Sequence, residues 1–231
     1  MIESRNTRRS QLDRSTETRS VLTTAAIEVL RTVGYARATT QIIAKQAGVT
    51  TGALHHHFPS KGDLMLAVLD HASSQLRERL EAEGTILHAD APQIRALVEH
   101  LWQVYGHPEY WAVWEVIIGT RADPILHERV VKHRSDTMRN VLVPWLDRLA
   151  LPSDAQEDVL QSFEFLLIAI RGLGLERFLD KDASYFDRHL CTLAEFLRHR
   201  LQGIRGQVSP PAMLTTPVLA RRPRNRRPKA Q

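Results

Sequence analysis

The chain has 231 residues, 43% of them hydrophobic and 25% charged, with a formal net charge of +5. It can bury a sizeable core as one large or two small domains. Its single cysteine, Cys191, excludes an internal disulfide framework and fits a reducing cytoplasm. The polar, basic N-terminus has no apolar run of the signal-peptide kind, and the densest apolar stretch, 163–170, holds Glu164 and is followed by Arg171, so no membrane span is expected.

Residues 1–12 read as a mobile basic arm in which Arg5, Arg8 and Arg9 either reach a phosphate or minor groove or simply fray. A first helix is expected over 13–33, because Leu22, Ala25, Ala26, Val29, Leu30 and Val33 form one apolar stripe at helical spacing. Gly34 ends it. A short helix over 40–47 has Ile42, Ile43, Ala44 and Ala47 to bury, with Thr39 or Thr40 as its cap. Gly48 supplies the positive φ of a tight turn. Thr50 caps a second short helix that Pro59 stops. Two short helices around such a turn make a helix-turn-helix, spanning 40–58, whose second helix can enter a major groove. That helix is small and polar outside (Thr51, Gly52, Ala53, His55, His56) and anchored by Leu54 and Phe58. Ser60 and Asp63 form a capping box that opens the next helix, with Lys61 beside its positive end.

The stretch TTQIIAKQAGVTTGALHHHFPSKGDLMLAVL, residues 39–69, resembles the TetR family of one-component transcriptional regulators. Many members read T-T-x-x-I-A-x-x-A-G-V-S-x-G-x-L-Y-x-H-F-x-x-K-x-x-L, and the spacing matches without a gap. The resemblance covers about the first third of the chain; beyond it only the helical layout agrees. His55 stands where the family usually has a tyrosine that touches the DNA backbone. A neutral imidazole still donates one hydrogen bond, which would make that contact pH-sensitive. The resemblance implies base-reading roles for Gln41, Thr50, Thr51, Gly52 and His56, and phosphate-seating roles for Thr39, Thr40, His55 and Lys61.

Further along, a long helix over 61–83 carries the stripe Leu64, Val68, Ala72, Leu76 and Leu80 from the head into the body. Helices are expected over 92–106 and 108–119, then over 124–149 with a kink near Val141 forced by Pro144. A helix over 154–179 is apolar nearly all round between 163 and 170 and must be buried on more than one side. The last helix runs to about 202. From 203 on, five prolines and seven basic residues with little to bury make a disordered basic tail. The expected fold is all-α: a DNA-binding head over 13–61, a ligand-binding and dimerisation body over 62–203, and the tail over 204–231.

Charge follows the same division. Residues 1–61 hold nine Lys and Arg against four Asp and Glu, residues 62–203 fifteen against twenty-two, and residues 204–231 seven against none. A basic head on an acidic body is the electrostatic footprint of a DNA-binding protein.

His55, His56 and His57 do not read as a metal site, since adjacent helical residues point about 100° apart. No cofactor is expected. Nucleophile elbow, P-loop, dinucleotide and zincin motifs are all absent, so an enzyme is not expected. An all-α interaction bundle or a small enzyme without specific DNA binding is the alternative.

The reading is therefore a cytoplasmic transcriptional regulator, most simply a repressor. By the resemblance it acts as a homodimer on a pseudo-palindromic double-stranded operator and is released by a small, mostly apolar effector. Trp102, Tyr105, Tyr110, Trp111, Trp114, Trp145 and Phe163 are candidates to surround that effector, although any one ring can equally be core. Glu115 or Arg171 could add a charge. Phe165, Ile168, Gly172, Gly174, Leu190, Leu193 and Leu197 on the last two helices are candidates for the dimer face.

Overall fold

The structure, a computed structural model, describes residues 3–82, 91–144 and 156–205. Among these residues every regular element is helical. The all-α expectation holds.

Helix α1, Glu3–Arg37, starts ten residues before the expected position. No glycine or proline interrupts 3–12, so nothing there breaks the helix. The expected mobile arm is thus, from Glu3 on, helical backbone. Gly34, at φ 77° and ψ 167°, bends the chain where the apolar stripe ends. Leu22, Ala26 and Leu30 of that stripe are fully buried.

Helices α2, Thr40–Gln46, and α3, Thr51–His57, have the expected caps. The Thr39 hydroxyl accepts the Ile42 N–H at 3.3 Å, and the Thr50 hydroxyl accepts the Ala53 N–H at 3.1 Å. Gly48 turns the chain between them at φ 69°. Ile43, Ala44, Leu54 and Phe58 are buried, but Ile42 is not: 44% of it remains exposed. A seven-residue helix has room for only a narrow inward stripe.

Helix α4, Lys61–Ala82, opens on the reciprocal capping box. The Asp63 N–H donates to the Ser60 hydroxyl at 3.1 Å, and the Ser60 N–H donates to the Asp63 carboxylate at 3.0 Å. Leu64, Val68, Leu76 and Leu80 are buried in one apolar core that runs unbroken from the head into the body.

The body adds α5, Ala91–Tyr105, and α6, Trp111–Gly119. A 3-10 turn, Pro108–Tyr110, precedes α6, so the expected single helix over 108–119 is two pieces. Helix α7, Pro124–Thr137, continues as a π-helical segment, Met138–Leu142. The disturbance falls at the expected kink. Pro144 has no N–H to give, and its ring would crowd the carbonyl four residues earlier. Helix α8, Gln156–Leu175, ends in a 3-10 turn, and α9, Ala183–Arg205, closes the described chain. The expected tail lies outside the described residues from 206 on.

Candidate functional site

The head presents α3 on its surface. Thr39, Gln41, Thr50, Gly52, His55 and His56 are exposed, while Thr40 and Thr51 are half-buried beside them. A Cβ built on Gly52 would meet only the Thr50 hydroxyl, at 3.9 Å, so the backbone there is open to a close approach. Behind this surface Leu54 and Phe58 anchor α3 to the core.

Arg19 of α1 secures the other end of α3. It donates to the His57 carbonyl at 2.6 Å, and its guanidinium lies 4.2 Å from the centre of the Phe58 ring. Both contacts satisfy the end of a helix that Pro59 prevents from continuing. Partial burial, helped by His56 and Arg19, holds the His57 imidazole below its ordinary pKa and so favours its neutral form.

Lys61 is turned back into the protein. Its ammonium donates to the Tyr35 carbonyl at 2.8 Å and sits 3.9 Å from the centre of the Tyr35 ring. Burial lowers its pKa below the ordinary lysine value. The side chain ties the end of α1 to the start of α4.

Among the described residues, two sizeable cavities open in the body. The larger, about 490 Å³, lies between α4 (Ala72, Ser73, Leu76), α5 (Tyr105) and the end of α7 with its π segment, and is closed by Tyr110 and by Arg171 of α8. The smaller, about 210 Å³, is lined by Trp111, Trp114, Phe178 and Arg177 and shares Tyr105 and Tyr110 with the first. Those two tyrosines pack edge to face at 4.9 Å and form the wall between the cavities.

The expected aromatic cluster is thereby divided. Tyr105 and Tyr110 line both cavities, and Trp111 and Trp114 line the smaller one. Trp102 instead stacks on Phe186 at 5.3 Å under Arg177 and lines neither. Phe163, 2% exposed, belongs to the core. Trp145 lies outside the described residues. Sequence reasoning missed Arg134, Met138, Arg139 and Val143, which line the larger cavity from α7 and just beyond. No spacing marks them; they face inward only because of how α7 ends.

The sequence model of the bacterial regulatory proteins of the tetR family matches residues 22–68, which contain α2, α3 and their caps. The HTH-type transcriptional regulator CymR of Pseudomonas putida is 29% identical over 196 residues, covering 84% of this chain and 95% of that protein. An HTH-type transcriptional regulator of Mycobacterium tuberculosis is 34% identical over 137 residues, 58% of this chain and 65% of its own. A transcriptional regulator from Rhodococcus sp. Rha1 has a similar fold, with TM-score 0.61 at 24% identity over 83% of this chain and 99% of that one. Residues 22–68 carry the DNA-binding domain of the TetR family. The chain is a DNA-binding transcriptional regulator.

In the body the residues expected at the dimer face are placed unequally. Phe165 and Ile168 are 51% and 66% exposed, and nothing lies within 4 Å of a Cβ built on Gly172. Leu193 is half-buried. Leu190 and Leu197 are instead buried in the chain's own core, and a Cβ on Gly174 would lie 2.8 Å from the Tyr105 carbonyl oxygen. These three point inward, where they pack α8 and α9 onto the rest of the body. Among the described residues no helix is long and apolar enough to cross a membrane.

Proposed function

We propose that this regulator is a repressor, that two copies grip a pseudo-palindromic operator through α3, and that a small molecule held in the body releases them. The observation that carries the reading is that one helix serves both ends. Ala72, Ser73 and Leu76 of α4 line the larger cavity, and the same helix begins at Lys61 against the end of α1. A polar ladder stiffens it against α7: Asp63 with Arg129 at 2.6 Å, Asp70 with His133 at 2.7 Å, Ser73 with Thr137 at 3.0 Å. A ligand that re-spaces α4 and α7 therefore re-aims the head.

In this reading residues 13–61 read DNA and residues 62–203 hold the effector and the partner subunit. Gln41, Thr50, Thr51, Gly52 and His56 meet base edges, while Thr39, Thr40 and His55 meet phosphates. Lys61 positions the head, and it has N–H groups to spare for a phosphate as well. The fold elsewhere accommodates small molecules: a similarly folded regulator from Saccharomonospora viridis, TM-score 0.53, was solved in complex with choline. A coupling of about 1–3 kcal/mol between ligand and operator would relieve repression about 5–150-fold.

The test is selection of bound duplex from a random pool with the full chain, followed by a gel shift on the selected site with and without candidate effectors. A pseudo-palindrome with half-sites about one helical turn apart or somewhat more is expected. Failure to select any duplex sinks the operator reading. A selected site that no effector releases sinks the relief reading.

A further inference from the structure

We propose that the larger cavity takes a small organic carboxylate, its anionic head held by the Arg171 and Arg134 guanidiniums and the Tyr110 hydroxyl, its apolar body against Leu76, Met138 and Val143. This deepens the effector reading above and rests on it.

The first support is charge. Arg134, Arg139 and Arg171 all line the cavity, and no Asp or Glu does so among the described residues. None of the three arginines forms an ion pair among the described residues. Asp136, which feels Arg139, is bonded to Lys132. Arg139 is exposed, but Arg134 and Arg171 are half-buried, and like charges drawn partly out of solvent repel one another unless an anion joins them.

The second support is unmet hydrogen bonding. Tyr110 is only 6% exposed, and its hydroxyl oxygen faces the Arg134 and Arg171 guanidiniums, which can only donate, so its own O–H proton has no acceptor. The Arg171 Nε–H is likewise buried without one. A buried donor left unpaired costs about 1–3 kcal/mol, so two at one cavity wall indicate a group that arrives from outside. A guanidinium presents two parallel N–H groups, which a carboxylate matches with its two oxygens. The ring of Tyr105 lies under Arg171 at 5.0 Å and holds the guanidinium plane in place.

The third support is shape. The π segment Met138–Leu142 widens the helix where it meets the cavity and brings Met138 and Arg139 to the wall. Such segments gather at functional sites. The volume of about 490 Å³ falls within the range of small-molecule pockets, roughly 300–1,000 Å³. Leu76, Met138 and Val143 would cover an apolar body, which inorganic anions lack.

The experiment uses the full chain and a panel of benzoate, phenylacetate and octanoate, each beside its own uncharged amide, with inorganic phosphate as a further arm. Binding is read by thermal shift and by calorimetry. At least one carboxylate is expected to raise the Tm where its amide does not, and phosphate is expected to have no effect. Arg171→Met and Tyr110→Phe are each expected to weaken that carboxylate at least tenfold, with helicity checked by circular dichroism. Tyr110→Phe removes only an oxygen, so it keeps the test valid should Arg171→Met fail to fold. Amides binding as well as carboxylates, no carboxylate shifting the Tm, phosphate binding as tightly, or Tyr110→Phe binding unchanged would each overturn the proposal. The gel shift separates it from the wider reading. A carboxylate that binds without releasing the operator sinks effector relief and leaves the anion site standing. Release by uncharged compounds alone does the reverse.

Discussion

The Glu115 carboxylate accepts the Tyr35 backbone N–H at 2.8 Å, joining α6 of the body to the end of α1 in the head. Tyr35 also gives its carbonyl to Lys61, and a Cβ on Gly119 would lie 2.2 Å from its ring. Three helices thus meet on one residue. Glu115, a candidate charge for the effector, is already engaged here.

Glu115→Ala should leave the half-buried Tyr35 N–H unpaired and cost about 1–3 kcal/mol in denaturant unfolding. Glu115→Gln, which keeps an acceptor, should recover most of it. Gly119→Ala should cost a similar amount, about 1–3 kcal/mol, by driving a methyl into the Tyr35 ring. Equal stability of Glu115→Ala and the parent would show that the contact carries nothing.

Asp63 makes the link between head and body dependent on pH. Hydrogen bonds from Ser60 and Arg129 hold its carboxyl below the usual carboxylate range. A lowered pKa in the folded state means that the stabilisation is complete above the unfolded value, about 3.9, and fades as pH falls through the folded one. Asp63→Asn should therefore lower the Tm by a constant amount near neutrality, and that gap should close below about pH 4. Because the pair is largely exposed, the gap should correspond to roughly 1 kcal/mol or less. A gap independent of pH down to acid unfolding would argue against the charge.

The head was legible in the sequence because its rules are local. Thr39, Gly48, Thr50 and the Ser60–Asp63 box each act within four residues, and each stands as expected. Ile42 was misplaced because a seven-residue helix is too short for periodicity to say how wide its buried stripe is. The cavity was not legible. Arg134 and Arg171 are 37 positions apart and look like ordinary surface arginines until α7 and α8 are packed. The same holds for Leu190 and Leu197, whose stripe says that α9 buries a face but not against which neighbour.

Gly52 separates folding from reading. Its missing Cβ meets nothing closer than 3.9 Å in the free protein, so Gly52→Ala should fold and gain up to about 1 kcal/mol from helix propensity. If the backbone of α3 must approach the duplex closely, the same methyl should weaken operator binding at least tenfold. A variant with a higher Tm and lower operator affinity is the expected pattern. Unchanged affinity for the selected site would move the point of close approach away from Gly52.

The dimer face is tested by contrasting an exposed residue with a buried one. Ile168 is 66% exposed beside Phe165, whose ring lies 4.9 Å from that of Phe196, so α8 and α9 together offer an apolar surface that a second copy would cover. Interfaces of this kind are large and apolar, and a charge placed at their centre is left unpaired. Ile168→Glu should therefore give a monomer by light scattering at micromolar concentration, with helicity intact. It should also lose most of its operator affinity, because each head alone holds only a half-site. Leu197, 0% exposed within its own chain, should behave differently. Leu197→Ala should cost about 2–5 kcal/mol through the cavity it leaves, and the folded fraction should still associate. A dimeric mass for Ile168→Glu would place the interface on another surface.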